Sequence, residues 1–273
     1  MAASTPGNPP SAGPVPGASP SAPPAPPRTG AYREVGVVRH ASLRAARYRL
    51  KGEAKILGEV DVGELEVVGL LVVGGRLRVD RARVGGTIEV AGAAEAAESI
   101  AVRGTARFAG PLAAPSLSVR GTARARAGLR VPGLLDLDGT AEIVGEAAAG
   151  LARLTGRIER IDRLVAREVD GRFEGDGRIG RIEAGTVSLS PRQALRLPVD
   201  VPFLAPKATL AVERIDAEKV ALEGVEVRYV RAPQIVLGRH CHVTAVEGTV
   251  VRRDPTSVVG YESRSPPPPG LFR

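Results

Sequence analysis

Seven glycines recur along the chain at an almost constant step: Gly52, Gly69, Gly86, Gly104, Gly121, Gly139 and Gly156, separated by 17, 17, 18, 17, 18 and 17 residues. Two positions before each stands an aliphatic side chain (Leu50, Val67, Val84, Val102, Val119, Leu137, Leu154), and two positions after it another apolar one (Ala54, Leu71, Ile88, Ala106, Ala123, Ala141, Ile158). A fixed period of this length, with side chains in register, is the mark of a solenoid that stacks on itself. Such a coil fills its own interior. Function is then left to its walls, its two ends and its tails.

The residues around each glycine alternate with a period of two. In Leu117–Ser118–Val119–Arg120–Gly121–Thr122–Ala123–Arg124, the apolar side chains share one parity and the polar ones the other. The same split recurs around Gly104 and Gly139. A period of two is that of a strand, not a helix. The glycine stands on the apolar parity, where a missing Cβ permits a corner or a close backbone approach. Shorter blocks of six begin at Gly63, Gly69 and Gly75. Three blocks make one winding, so the expected path is three short strands and three corners before the chain returns over its start. Residues 35 to 250 then give roughly twelve windings at ~4.8 Å each.

Composition agrees with a stacked coil. Of 273 residues only 3% are aromatic, none is Trp and 33 are Gly, so the apolar interior must come from Val, Leu, Ile and Ala. Arg greatly exceeds Lys and Asn8 is the only asparagine, a bias that fits a hot habitat or a GC-rich genome equally. The single cysteine, Cys241, forbids an internal disulfide and makes a reducing, cytoplasmic location the expectation. The N-terminal residues carry no basic and apolar leader pattern, and the longest apolar run, Val67 to Val73, is too short to span a bilayer. Membrane attachment is therefore not expected. The net charge of +8 is spread among charges of alternating sign, with no aromatics interleaved for base stacking, so no nucleic-acid partner is expected.

Both flanks are rich in proline. The first thirty residues hold ten prolines and one charge, Arg28, and the chain ends in Pro266–Pro267–Pro268–Pro269 before its last four residues. The domain reading is a disordered arm over 1–32, a β-helix over 33–251, and a disordered tail over 252–273, with either arm able to dock protein clients or act as a spacer. Residues 191–206 contain Pro191, Pro198, Pro202 and Pro206. Proline lacks the N–H that a parallel ladder needs. One irregular winding is expected there, the alternative being a break into two subdomains. Gly224 lies four steps of 17 beyond Gly156, although Glu226 two positions later breaks the apolar pattern.

Concentrated side-chain chemistry is sparse. In Arg239–His240–Cys241–His242, a strand would aim the two histidines one way and the cysteine the other, giving two ligands where zinc usually takes three or four. No nucleophile–histidine–carboxylate set, phosphate loop or carboxylate cluster is visible. No catalytic residue, metal or cofactor is expected. Acyltransferases with hexapeptide repeats also build coils from six-residue blocks, but they need a mid-coil histidine, and none occurs between His40 and His240.

The pattern Val102–Arg103–Gly104–Thr105–Ala106, with Leu137 to Glu142, Gly180 to Glu183, Ile215 to Gly224 and Val236 to Glu247, resembles the bactofilins, polymer-forming bacterial cytoskeletal proteins. The resemblance spans roughly residues 35 to 250. It implies an all-β, right-handed, three-sided parallel β-helix. It further implies end-to-end assembly into filaments without nucleotide or metal, with the chain itself as partner, in a scaffold rather than an enzyme. The alternative is a monomeric β-solenoid that binds a partner on a charged wall. Interface residues should lie on the terminal windings. The candidates are Val35, Val37, Leu43 and Tyr48 at one end, and Val243, Val246 and Val250 at the other.

Overall fold

The computed structural model describes residues 28–192 and 209–263. Within them every regular element is a strand. They are β1 (Ala31–His40), β2 (Leu43–Ile56), β3 (Val60–Val73), β4 (Leu77–Val90), β5 (Ala94–Phe108), β6 (Leu112–Ala113) and β7 (Ser116–Ala125). The long β8 (Leu129–Phe173) follows, then β9 (Gly177–Pro191), β10 (Leu210–Leu222), β11 (Val225–Leu237), β12 (His242–Arg253) and β13 (Val258–Ser263). All pair in parallel into a single stack that runs from β1 to β13 in sequence order. The chain is a parallel β-solenoid, as the glycine period requires.

Register explains the core. Leu43, Val60, Leu77, Ala94, Leu112 and Leu129 stand one above another, and so do Leu50, Val67, Val84, Val102, Val119 and Leu137. All are buried. Each such aliphatic side chain contributes roughly 1.5–3 kcal/mol on leaving water. Because a column repeats the same residue type, windings interlock without large rings. In β3 the buried positions Val62 and Leu65 are three apart, an odd step that reverses strand parity and so marks a corner.

The glycine column marks another corner. At Gly69 φ is +134°, and a Cβ there would fall 1.9 Å from the carbonyl oxygen of Gly52 in the winding before. No side chain fits between two backbones that close, which is why the residue recurs. The structure adds a rung that the 17-residue step does not reveal: Gly36, paired with Gly52 at an offset of 16, with φ +100°. Gly224 is not part of this column. It sits in the turn between β10 and β11 with φ +63°, where a Cβ would approach the Pro191 ring at 3.3 Å.

Two expected boundaries move. First, β9 pairs directly with β10 from Gly177–Leu210 to Leu189–Leu222, an offset of 33 residues. The coil is continuous there, with no winding interposed, and the two-subdomain alternative fails; most of the proline-bearing stretch lies outside the described residues. Second, the coil does not stop at 251. β12 runs to Arg253, and β13 adds a further strand whose Val258 N–H donates to the Cys241 carbonyl at 2.8 Å. The turn before it is built locally, with Asp254 Oδ1 accepting from the Thr256 N–H and hydroxyl at 3.0 and 2.7 Å. At the other end β1 begins at Ala31, just inside the expected arm. Residues 1–27 and 264–273, where the proline-rich arms were placed, lie outside the described residues.

Candidate functional site: the two tips and the charged wall

Among the described residues β1 pairs only with β2 and β13 only with β12, so these two strands are the tips of the described stack. At the N-terminal tip, register sets Tyr32, Glu34, Gly36, Val38 and His40 over the inward positions Tyr48, Leu50, Gly52, Ala54 and Ile56. Two of these inward positions are polar. Glu34 Oε2 accepts a hydrogen bond from the Tyr48 hydroxyl at 2.5 Å and lies 3.0 Å from His40 Nε2. The first winding therefore plugs the apolar interior with a carboxylate and an imidazole, hydrogen-bonded to the phenol of the second. Partial burial pushes the Glu34 pKa up, but the hydrogen bonds from Tyr48 and His40 outweigh it and hold the carboxyl below its ordinary value. Burial, then the bond to Glu34, raises the Tyr48 phenol well above its usual range.

Gly36 gives the clearest sign of how this tip ends. Every later glycine in the column has the preceding rung's carbonyl oxygen within 2.4 Å of its would-be Cβ, whereas at Gly36 nothing lies within 4 Å. Among the described residues, no backbone stacks on the first winding at this corner.

The sequence candidates fall into three groups. Val35 and Val37 lie on the first winding, but on its outer parity opposite Lys51 and Glu53, and are 69% and 73% exposed. Leu43 and Tyr48 belong to the second winding and are buried. Val243 and Val246 are fully buried and covered by Val259 and Glu262 of β13. They are therefore not the terminal rung at that end. Val250 packs partly against the core beside them. The C-terminal tip is instead β13, with Val258 exposed and Val259 packed against the core. Its anchor is Ser257, whose buried hydroxyl accepts from the Cys241 N–H at 2.9 Å and donates to the Gly238 carbonyl at 2.5 Å. Sequence reasoning missed both Ser257 and Glu34. A 16-residue offset between β12 and β13, and another between Gly36 and Gly52, were the signals that could have found them.

The histidine–cysteine motif does not converge. Cys241 is buried, its Sγ 3.2 Å from the Leu222 carbonyl oxygen, while His240 and His242 are exposed. His240 sits in a turn at φ +55°, not in a strand. Burial raises the Cys241 pKa, so the thiol stays protonated. Among the described residues no three His, Cys, Asp or Glu side chains are grouped to hold a metal, and no helix is long and apolar enough to cross a membrane.

On part of the wall, charge alternates from winding to winding, although Arg103 over Arg120 and Arg163 over Arg181 stack like charges. One column reads Arg44, Asp61, Arg78, Glu95 and another Arg47, Glu64, Arg81. Arg47 meets Glu64 at 2.6 Å and Arg49 meets Glu66 at 2.9 Å, with about half of each side chain exposed. Exposed pairs of this kind contribute about 0–1 kcal/mol each. In these columns the alternation also keeps like charges from stacking directly above one another, where they would repel.

The chain matches no family model, and no curated protein or solved structure is matched by it.

Proposed function

We propose that this chain is a bactofilin-like, non-enzymatic scaffold that assembles end to end into filaments, without nucleotide or metal, in the cytoplasm. The right-handed, three-sided winding implied by the sequence resemblance belongs to this proposal. The observation that carries it is that, among the described residues, no backbone stacks on Gly36, whereas one does at every later glycine of the column. Open strand edges template pairing with another chain, and natural solenoids normally cover them. Exposed Tyr32, Val35 and Val37 at one tip and Val258 at the other would add apolar area to such a contact. The polar plug keeps the N-terminal tip soluble until a partner arrives, because its charge sits where an apolar cross-section would otherwise face water.

Negative-stain microscopy of the purified full chain, without nucleotide or added metal, tests this reading. Filaments of solenoid width support it. Isolated short rods at high concentration contradict it and favour a monomeric module that binds through its charged wall. A compact trimer would point toward the acyltransferase class.

A further inference from the structure

We propose that the proline-rich arm preceding Arg28 docks along the wall of its own coil, in a groove lined by Ala93, Pro111, Ala113, Gly128 and Arg130 above the buried Leu112 and Leu129. The first observation is the Arg28 clamp. Its Nε donates to Asp61 Oδ1 at 2.7 Å and its Nη1 to Asp80 Oδ1 at 2.6 Å. Yet Gly30, two residues later, stacks on the second winding, its carbonyl accepting from the Ala46 N–H at 3.0 Å. The Arg28 side chain thus bypasses the second winding and is held on the third and fourth. It points down the wall, away from the N-terminal tip.

The second observation is that the groove lies in line with this clamp. Asp61 pairs with Arg78, Arg78 with Glu95, Glu95 with Ala113, and Ala113 with Arg130. Glu95, Ala113 and Arg130 border the groove, which holds about 550 Å³ and ends near Glu146 and Ala148. The third is the length and chemistry of the segment. Ser21 to Pro27 reads Ser-Ala-Pro-Pro-Ala-Pro-Pro, with no charge to desolvate. At ~3.1 Å per residue in the polyproline II conformation it reaches roughly 22 Å. That is between four and five windings at ~4.8 Å, about the distance from the clamp to the far end of the groove. Such a segment loses little entropy on docking, and tethering gives it an effective concentration of order millimolar, so weak contacts suffice. This inference holds whether or not the chain self-assembles.

The test is a pulsed electron–electron distance measurement on the full chain in a Cys241→Ala background, with spin labels at Ser21→Cys and Arg163→Cys. Arg163 meets Glu146 at 2.9 Å, one winding past the groove. The expected result is one narrow distribution at or below roughly 20 Å, because a docked Ser21 ends about one winding short of Arg163 and the two label linkers add the rest. It should persist on dilution with unlabelled chain and broaden in both Arg28→Ala and Ala113→Arg. Ala113 is exposed, so the arginine leaves the fold intact, which its melting curve verifies. A broad distribution in the unaltered arm overturns the proposal. So does a narrow one that vanishes on dilution, which would place the arm on a second copy, or one that Ala113→Arg leaves unchanged.

Discussion

The Tyr48 hydroxyl donates to the Glu34 carboxylate at 2.5 Å, across the boundary between the first and second windings. Tyr48 is fully buried, while Glu34 stands over a column that the next six windings fill with Leu50, Val67, Val84, Val102, Val119 and Leu137. The bond lets a charge close an apolar column without leaving the phenol unpaired.

Acid should loosen this tip first. The folded-state pKa of Glu34 is lowered, so its contribution is fully present above the unfolded carboxyl value, about 4.3, and fades as pH falls through the lower folded value. Thermal melts of wild type and Glu34→Gln should differ most at neutral pH and converge in strong acid. Removing the hydroxyl with Tyr48→Phe should cost about 1–3 kcal/mol at pH 7, because a buried hydrogen bond is lost. A gap between wild type and Glu34→Gln that widens on acidification would reverse the assigned sign.

The glycine column predicts a contrast between two identical substitutions. Gly69→Ala places a methyl 1.9 Å from the Gly52 carbonyl oxygen and should disrupt the coil. Gly36→Ala meets nothing within 4 Å and should cost only the ~1–2 kcal/mol of a positive φ. Denaturant unfolding followed by circular dichroism checks this. Comparable losses at both sites would mean that a backbone covers Gly36 after all.

At the opposite tip, Ser257→Ala removes the hydroxyl that joins Cys241 to Gly238 and should release β13 at a cost of about 1–3 kcal/mol. Hydrogen exchange should then speed up in Val258 to Ser263 with little change in β3 or β4, since solenoid windings couple mainly to their neighbours. Uniform acceleration along the rod would argue against a local anchor.

Placement of the C-terminal candidates predicts different outcomes for two charge insertions. Val246→Arg buries an unpaired cation and should unfold the last windings. Val258→Arg alters an exposed position and should leave the melting curve almost unchanged. Equal, small effects would place Val246 at the surface instead.

The middle of the coil was legible because its period fixes register. Once Gly69, Gly86 and Gly104 are aligned, Val67, Val84 and Val102 must share a column, and alternation sets the rest. Both ends were less legible for the same reason. The offset shortens to 16 between β1 and β2, to 15 between β10 and β11, and to 16 between β12 and β13, so a 17-residue ruler loses the terminal windings. Val243 and Val246, expected on the terminal winding, are instead buried beneath β13, because Pro255 and the proline-rich tail obscured the strand that covers them. Glu34 escaped notice because a polar residue at an inward position makes sense only where the stack meets water.

Filament assembly requires tips that accept another copy of the chain, and sedimentation velocity of the purified protein reads that out. The purified full chain should sediment as large, concentration-dependent species without nucleotide. Gly36→Ala, whose methyl has room in the isolated chain but would meet a backbone stacked as at the later rungs, should shift the distribution to much smaller species. A wild-type chain that remains a 28.4 kDa monomer across concentrations, or assemblies unchanged by Gly36→Ala, would show that the tips do not join.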